Sequence, residues 1–466
     1  MNYSSIIKTC SITCILLLIL MSMHPIYFAT STSSNEHRLL IISADEFIDE
    51  LQPLKDHKEN MGMSTKLVSL STVYDEMYWN GRDNPEKIKY FIKSAVENWQ
   101  THFVLLVGDF KKMPVRYVYN DEPAEQYYEP RYISELYYAD IYDETGSFSD
   151  WNSNNNELFG EWVGNEAQDK NIDLHPDIAV GRIACRNTRE VNIMVRKIIQ
   201  YETQTYNQDW FNRFVVVAGD TYPPGNYPFD TSAFEGEENT LRAIENMSDF
   251  TPVKLWASTG AFNGPIDVIQ TINQGCGFMF FEGHASPIAW GTHPPNAGED
   301  DPLLWGLKNY HMNFLLNKNK LPIVVAAACH NGQFDIQPVN LLKKMLGEPV
   351  GYGTWGLECW AWKLTSQPFG GSIATISNTG FGMSKEDKNS MEGAGDFMDM
   401  QFFVEYGNNK QDYLGDVWMA SISNYINEFP IDWNDPAGSD SAYDAKTPQE
   451  WTLFGDPSLR IGGYPQ

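Results

Sequence analysis

From Arg38 the chain alternates short, wholly apolar runs with longer stretches in which apolar residues recur every three or four positions. The first kind reads as a strand covered on both faces, the second as an amphipathic helix. RLLIISADEFIDELQPLKDHKENMGMSTKLVSL reads as strand, helix, strand, and NPEKIKYFIKSAVENWQTHFVLLVGDF adds another helix and strand. That alternation predicts an α/β layer with a parallel sheet. YDETGSFSDWNSNNNELFGEWVGNEAQDKNIDLHPD then loses both periods and is rich in Asn, Asp and Gly, the pattern of a long ordered loop. Beyond it, IAVGRIACRN leads into an amphipathic helix over roughly residues 189–206. Five more strands are expected at Phe214–Gly219, Val253–Ala257, Gly277–Glu282, Pro322–Ala328 and Gly371–Ser377.

This pattern divides the chain into a smaller α/β subdomain at 35–145 and a related, larger α/β domain at 146–466. The first 34 residues belong to neither. Lys8 is followed by an apolar run from Ile15 to Met23 and by small residues from Ala29 to Ser34, the order of a secretory signal peptide. The run falls short of the roughly 20 apolar residues that span a bilayer, and His24 and Pro25 interrupt it. A secreted, extracellular protein is expected, anchored at the cell surface and membrane-associated only if this segment is retained.

Charge and cysteine content narrow the function classes. With 33 basic and 61 acidic side chains the net charge is -28, which repels nucleic acid and anionic lipid. Of six cysteines, only Cys185, Cys276, Cys329 and Cys359 lie beyond the leader, too few for a disulfide framework in so long a chain. No Rossmann or P-loop glycine spacing follows the strands ending in VGDFKK and AGDTYP, so no organic cofactor is expected.

Reacting groups in open α/β sheets collect where the C-terminal ends of strands meet loops. GFMFFEGHAS ends a strand at His284, and LPIVVAAACHNG ends another at Cys329. A thiol on such a rim becomes a nucleophile when an imidazole accepts its proton, and backbone N–H groups of the turns can hold an oxyanion. Either residue taken singly also fits an inert core position. Trp355, Trp360 and Trp362 in TWGLECWAWKL line a substrate cleft or pack in the core.

The boxes GHASPIAWG and AAACHNGQF resemble the histidine and cysteine boxes of the gingipain family of cysteine peptidases, which share a caspase-like fold. FVLLVGD, SELYYADIYD, DLHPDIAVGRIACRN, GSIATISNTG, YLGDVWMASISNYI and LFGDPSLRIGG agree in order, so the resemblance spans roughly residues 38–463. It implies a caspase-like parallel-sheet catalytic domain preceded by the smaller α/β subdomain. It also implies a cysteine endopeptidase acting on protein or peptide substrates, with Cys329 as nucleophile and His284 as general base and acid. Asp177 matches the family's acidic residue that orients the histidine, with a strand-start turn as its plain alternative. Ala285 stands where the family usually has glycine; its N–H is the expected oxyanion donor, and a positive φ there would strain it. Two alternatives share the fold: a catalytically weak, calcium-binding surface protein and a transpeptidase.

A second feature is independent of that site. DWNSNNNELFGE places Asp150, Asn152, Asn154 and Glu161 at positions 1, 3, 5 and 12 of a calcium loop, with Asn155 in place of the usual glycine. A structural calcium ion is expected there, with a plain Asn-rich loop as the alternative. No CxxC or HExxH spacing points to a catalytic metal.

Overall fold

The computed structural model describes residues 36–120, 129, 131–170, 172–223, 234–298, 301–348, 350–383 and 393–465; the expected leader lies outside them. Ten strands build the central sheet: β1 (Leu39–Ser43), β2 (Thr65–Ser69), β3 (Phe103–Val107), β4 (Ala179–Ile183), β5 (Arg213–Ala218), β6 (Thr251–Trp256), β7 (Phe278–Glu282), β8 (Ile323–Ala327), β9 (Ala374–Asn378) and β10 (Trp451–Phe454). Their spatial order is β6-β5-β7-β8-β9-β10-β4-β3-β1-β2. Every neighbouring pair runs parallel except β9 and β10. Two parallel half-sheets therefore meet head to tail at one antiparallel seam.

Every residue of β1, β3, β7 and β8 is buried. Each Leu, Ile or Phe so buried stabilises the fold by about 1.5–3 kcal/mol, an upper figure since unfolded chains already bury some surface. Strands with this pattern need helices on both faces. On the β5/β7 half one cover is the helix Ala394–Asn409. Its Phe403 ring lies 4.8 Å from that of Phe214 and 5.0 Å from that of Phe280, and its Tyr406 ring 4.8 Å from that of Phe278.

Two sequence blocks have structural work. The arginine of IAVGR, Arg182, is fully buried and grips Glu135 through Nε and Nη2 at 2.7 and 2.9 Å while donating to the carbonyls of Gly108, Met113 and Pro114. The closing GDPSLR block supplies Asp456, which with Glu202 brackets the buried ammonium of Lys58, both at 2.7 Å. That triad ties the helices Ile48–Asn60 and Thr188–Gln204 to the C-terminal loop.

The expected boundary between 145 and 146 has no counterpart in the sheet. β4, assigned to the larger domain, pairs with β3 of the smaller one, and β10, from the far end of the chain, completes the same half. Residues 36–466 form one compact unit. The Asn-rich stretch marks a loop; backbone pairing across it keeps the sheet continuous. Among the described residues no helix is long and apolar enough to cross a membrane.

Candidate active site

β5, β7 and β8 are adjacent and parallel, so their C-terminal ends share one rim, and the chain delivers Thr221, His284 and Cys329 just beyond them. The β7/β8 register ends at Glu282 opposite Ala327, and the Gly283 N–H continues it to the Ala327 carbonyl at 3.2 Å. Two residues further along the chain from that last pair come His284 and Cys329.

The His284 Nε2 lies 2.7 Å from the Thr221 carbonyl oxygen. A carbonyl only accepts, so Nε2 carries the proton of the neutral ring and Nδ1 keeps a lone pair. Burial lowers the pKa of His284, and the Thr221 bond opposes that in part. The imidazole thus rests neutral with its basic nitrogen unprotonated. The His293 ring lies 5.4 Å away, and burial and the neighbouring His284 push its pKa down to about 4.

His284 opens a hairpin in which His284–Ser286 pairs antiparallel with Ala289–Thr292 across the two residues Pro287 and Ile288. The pair flanking a two-residue loop is the hydrogen-bonded one, so alternation turns the Ala285 N–H out of the ladder. Ala285 has no positive φ; that demand falls on Gly283, at φ 157°, where a Cβ would come within 2.8 Å of the Gly291 carbonyl oxygen. The strain expected of alanine after the histidine is therefore absent.

Cys329 is half-buried at the end of β8, with Sγ 3.7 Å from the Gly382 carbonyl oxygen. Burial, helped by the Glu450 and Glu129 carboxylates, pushes its thiol up to about 12, while the Gly382 contact and Lys446 pull the other way. At rest the thiol and the imidazole are both neutral. Cys185, Cys276 and Cys359 are buried free thiols.

The turn after Cys329 is fixed from two sides. The His330 and Gly332 N–H groups donate to the carbonyls of Gly380 and Asn378 at 2.8 and 2.6 Å, and His330 holds a left-handed φ of 59°. Asn331, fully buried, donates through Nδ2 to the carbonyls of Ser286 at 2.8 Å and Ala289 at 3.2 Å. One amide thus ties the turn after Cys329 to the hairpin of His284 and Ala285. Of the nearby tryptophans, Trp360 and Trp362 pack in the core, Trp360 with its Nε1 on the Leu307 carbonyl.

Asp177 does not orient the histidine. Its Oδ2 accepts the N–H groups of Ile141 at 2.6 Å and Tyr142 at 2.9 Å, the strand-start role given as its alternative. It precedes β4, four strand spacings from β7, roughly 19 Å across the sheet. The orienting group is instead the main-chain carbonyl of Thr221, which no residue type announces. Asn331 stood in plain view beside the cysteine, as a polar residue in a turn that the fold buries.

The residues of the Asn-rich loop do not fit a calcium ion. Asp150 accepts the Asn152 N–H and faces the Arg82 guanidinium at 3.6 Å; Asn152 and Asn154 both accept the Asn156 N–H. Glu161 takes the side-chain amides of Asn154 and Asn156 on one oxygen. Buried Asp169 closes the loop by accepting the N–H groups of Ser153 and Glu161. Arg82 supplies the positive charge, and the oxygens are spent on one another.

Comparison with known proteins bears on this geometry. The model of Peptidase family C25 matches residues 32–462. Gingipain R2 of Porphyromonas gingivalis is 22% identical over 433 residues, covering 91% of this chain and 46% of that protein. Gingipain R1 of the same organism is 22% identical over 433 residues, 91% of this chain and 34% of that protein. The chain thus spans less than half the length of these curated relatives. The crystal structure of the Arg specific cysteine proteinase gingipain R superposes with a TM-score of 0.60 at 19% identity, over 92% of this chain and 78% of that one. The complex of Porphyromonas gingivalis RgpB pro- and mature domains gives 0.60 at 18% identity, over 91% and 79%. These likenesses establish the caspase-like α/β fold. Since the family match leaves almost none of the described chain outside it, the chain belongs to Peptidase family C25, the gingipain family.

Proposed function

We propose that the protein is an exported cysteine endopeptidase that cleaves protein or peptide substrates through a Cys329 thioester. The observation that carries this reading is that Thr221, His284 and Cys329 follow the ends of three neighbouring parallel strands, with His284 Nε2 on the Thr221 carbonyl. With both groups neutral at rest, His284 Nδ1 takes the Sγ proton as sulfur attacks the scissile carbonyl. The developing oxyanion rests on the N–H groups of Cys329 and Ala285, and the imidazolium, held by Thr221, protonates the leaving amine. Water, deprotonated by His284, then releases the acyl group.

The unstrained Ala285 removes the main ground for a catalytically weak relative. A transpeptidase would form the same thioester and differ only in the acceptor. Incubating the purified protein with a mixed peptide library, beside Cys329→Ala, tests the proposal. Products from the wild type alone are expected, with water as the acceptor. Identical products from both proteins, or an inert wild type after removal of residues 1–34, sink the peptidase reading; amine-linked products replace it with transfer.

A further inference from the structure

We infer that Glu129, paired with Lys446, is a positioning residue for the Cys329 thiol: it fixes the Phe381–Gly382 segment against which the sulfur lies and cancels the ammonium charge behind it. The role rests on the peptidase reading, in which Glu129 acts through its neighbours. Glu129 stands in the stretch between β3 and β4, and its side chain is 9% exposed. Phe381 follows β9, 252 residues further on.

The antiparallel seam explains why charges gather here. β10 runs against β9, so its first residue, Trp451, pairs with Asn378 at the end of β9. The helix Asp440–Glu450 that leads into β10 therefore ends on the rim where β8 releases Cys329, and it carries Lys446 and Glu450 there. Gly380 runs close past two carboxylates: a Cβ on it would lie 2.7 Å from Glu450 Oε2 and 3.1 Å from Glu129 Oε1.

Glu129 grips the segment directly. Both its carboxylate oxygens accept the Phe381 N–H, at 3.0 and 3.1 Å. One residue on, the Gly382 carbonyl oxygen lies 3.7 Å from Cys329 Sγ. One residue before, the Gly380 carbonyl accepts the His330 N–H at 2.8 Å, so both neighbours of Phe381 meet the cysteine or its turn. Lys446, 1% exposed, donates from Nζ to Glu129 Oε2 at 2.8 Å and lies 5.8 Å from the centre of the Phe381 ring. His330 Nδ1 faces the other oxygen, Oε1, at 3.6 Å.

An ammonium near a thiol favours the thiolate, and a carboxylate disfavours it. Beyond burial, which dominates, Glu450 and Glu129 raise the Cys329 pKa and Lys446 lowers it. Taking the charge from either partner uncovers the other. Without Glu129 the ammonium is opposed by Glu450 alone; without Lys446 both carboxylates bear on the sulfur. The two losses therefore push thiol reactivity in opposite directions. A role in packing alone would loosen the segment, and expose the sulfur, in both cases.

The test is alkylation of Cys329 in the full chain by iodoacetamide at pH 8, read by mass spectrometry, beside steady-state hydrolysis of a peptide that the wild type cleaves. Below the thiol pKa the alkylation rate follows the thiolate fraction. Glu129→Gln should react about threefold faster than wild type and Lys446→Met about threefold slower, with the double variant close to wild type. Faster alkylation of both single variants overturns the inference, as do unchanged rates in both. If urea unfolding shows that Lys446→Met does not fold, the double variant decides: a rate near wild type supports the pair, and one at or above that of Glu129→Gln refutes it. In hydrolysis Glu129→Gln, which keeps an acceptor for the Phe381 N–H, should retain about tenfold more kcat than Glu129→Ala at similar KM; equal kcat in the two removes the positioning role. A wild type that cleaves nothing sinks the peptidase reading alone, and the signs of the alkylation changes still decide for or against Glu129.

Discussion

Replacing Asn331 with alanine cuts a side-chain link between the turn of Cys329 and the hairpin of His284 and Ala285. The amide makes two buried hydrogen bonds, to the Ser286 and Ala289 carbonyls, and the residue is fully buried. Each bond contributes about 0.5–1.5 kcal/mol net, so a loss of about 1–3 kcal/mol in folding stability is expected. Catalysis should suffer as well, because an untethered hairpin no longer holds imidazole and oxyanion donor against the thiol. Misplacement of reacting groups by an ångström costs on the order of 100-fold, so kcat/KM should fall about 10- to 100-fold, chiefly in kcat. Asn331→Asp, of equal size, should be worse still, since it sets a carboxylate against two carbonyl oxygens. Urea unfolding gives the first quantity and steady-state hydrolysis of a peptide cleaved by the wild type the second. An alanine variant within about 0.5 kcal/mol of wild type that retains its kcat/KM would refute the tether.

A thiol held near pKa 12 is a neutral thiol at rest, so alkylation of Cys329 by iodoacetamide should accelerate about tenfold per pH unit from pH 7 to 10, with no plateau; a plateau below pH 9 would reveal a preformed thiolate. Cys185, Cys276 and Cys359 are too buried to interfere. Lys58→Met removes the cation bracketed by Glu202 and Asp456 and should cost about 3–5 kcal/mol in urea unfolding at pH 7. Burial opposes ionisation of Glu202, but Lys58 and the bonds from His57 and Lys58 hold its carboxyl below the ordinary value. Stability from that source is present above the ordinary carboxylate range and disappears as pH falls through the folded value, and in Lys58→Met the acid loss should begin at a higher pH. Gly332→Ala puts a Cβ 2.8 Å from the Asn378 carbonyl oxygen; a loss of about 1–3 kcal/mol is expected, and an unchanged urea midpoint would show that the turn gives way freely.

Much of the site could be read along the chain because it depends on local pattern. An apolar run that stops at a reactive side chain marks a strand end, and both His284 and Cys329 stand where that rule puts them. Asp177 misled because an acidic residue before a strand looks alike whether it orients a catalytic group or caps a turn; only its four-strand distance from β7 separates the two. The calcium loop misled for a similar reason, since ligand spacing counts oxygens without showing that Arg82 and neighbouring amides already engage them. In the other direction, Glu129 and Lys446 lie 317 residues apart and carry no motif; folding alone makes them partners.

The order of residues by itself determined the α/β class, the strand positions to within a few residues, the acidic balance and the two reactive side chains, because periodicity and composition report how each segment is covered. The tertiary structure alone decided which strands pair, that two parallel half-sheets join at an antiparallel seam, and that the carbonyl of Thr221 faces His284. Pairing is chosen by backbone hydrogen bonds and packing between distant segments, and a main-chain carbonyl is the same in every residue, so neither leaves a mark on the sequence.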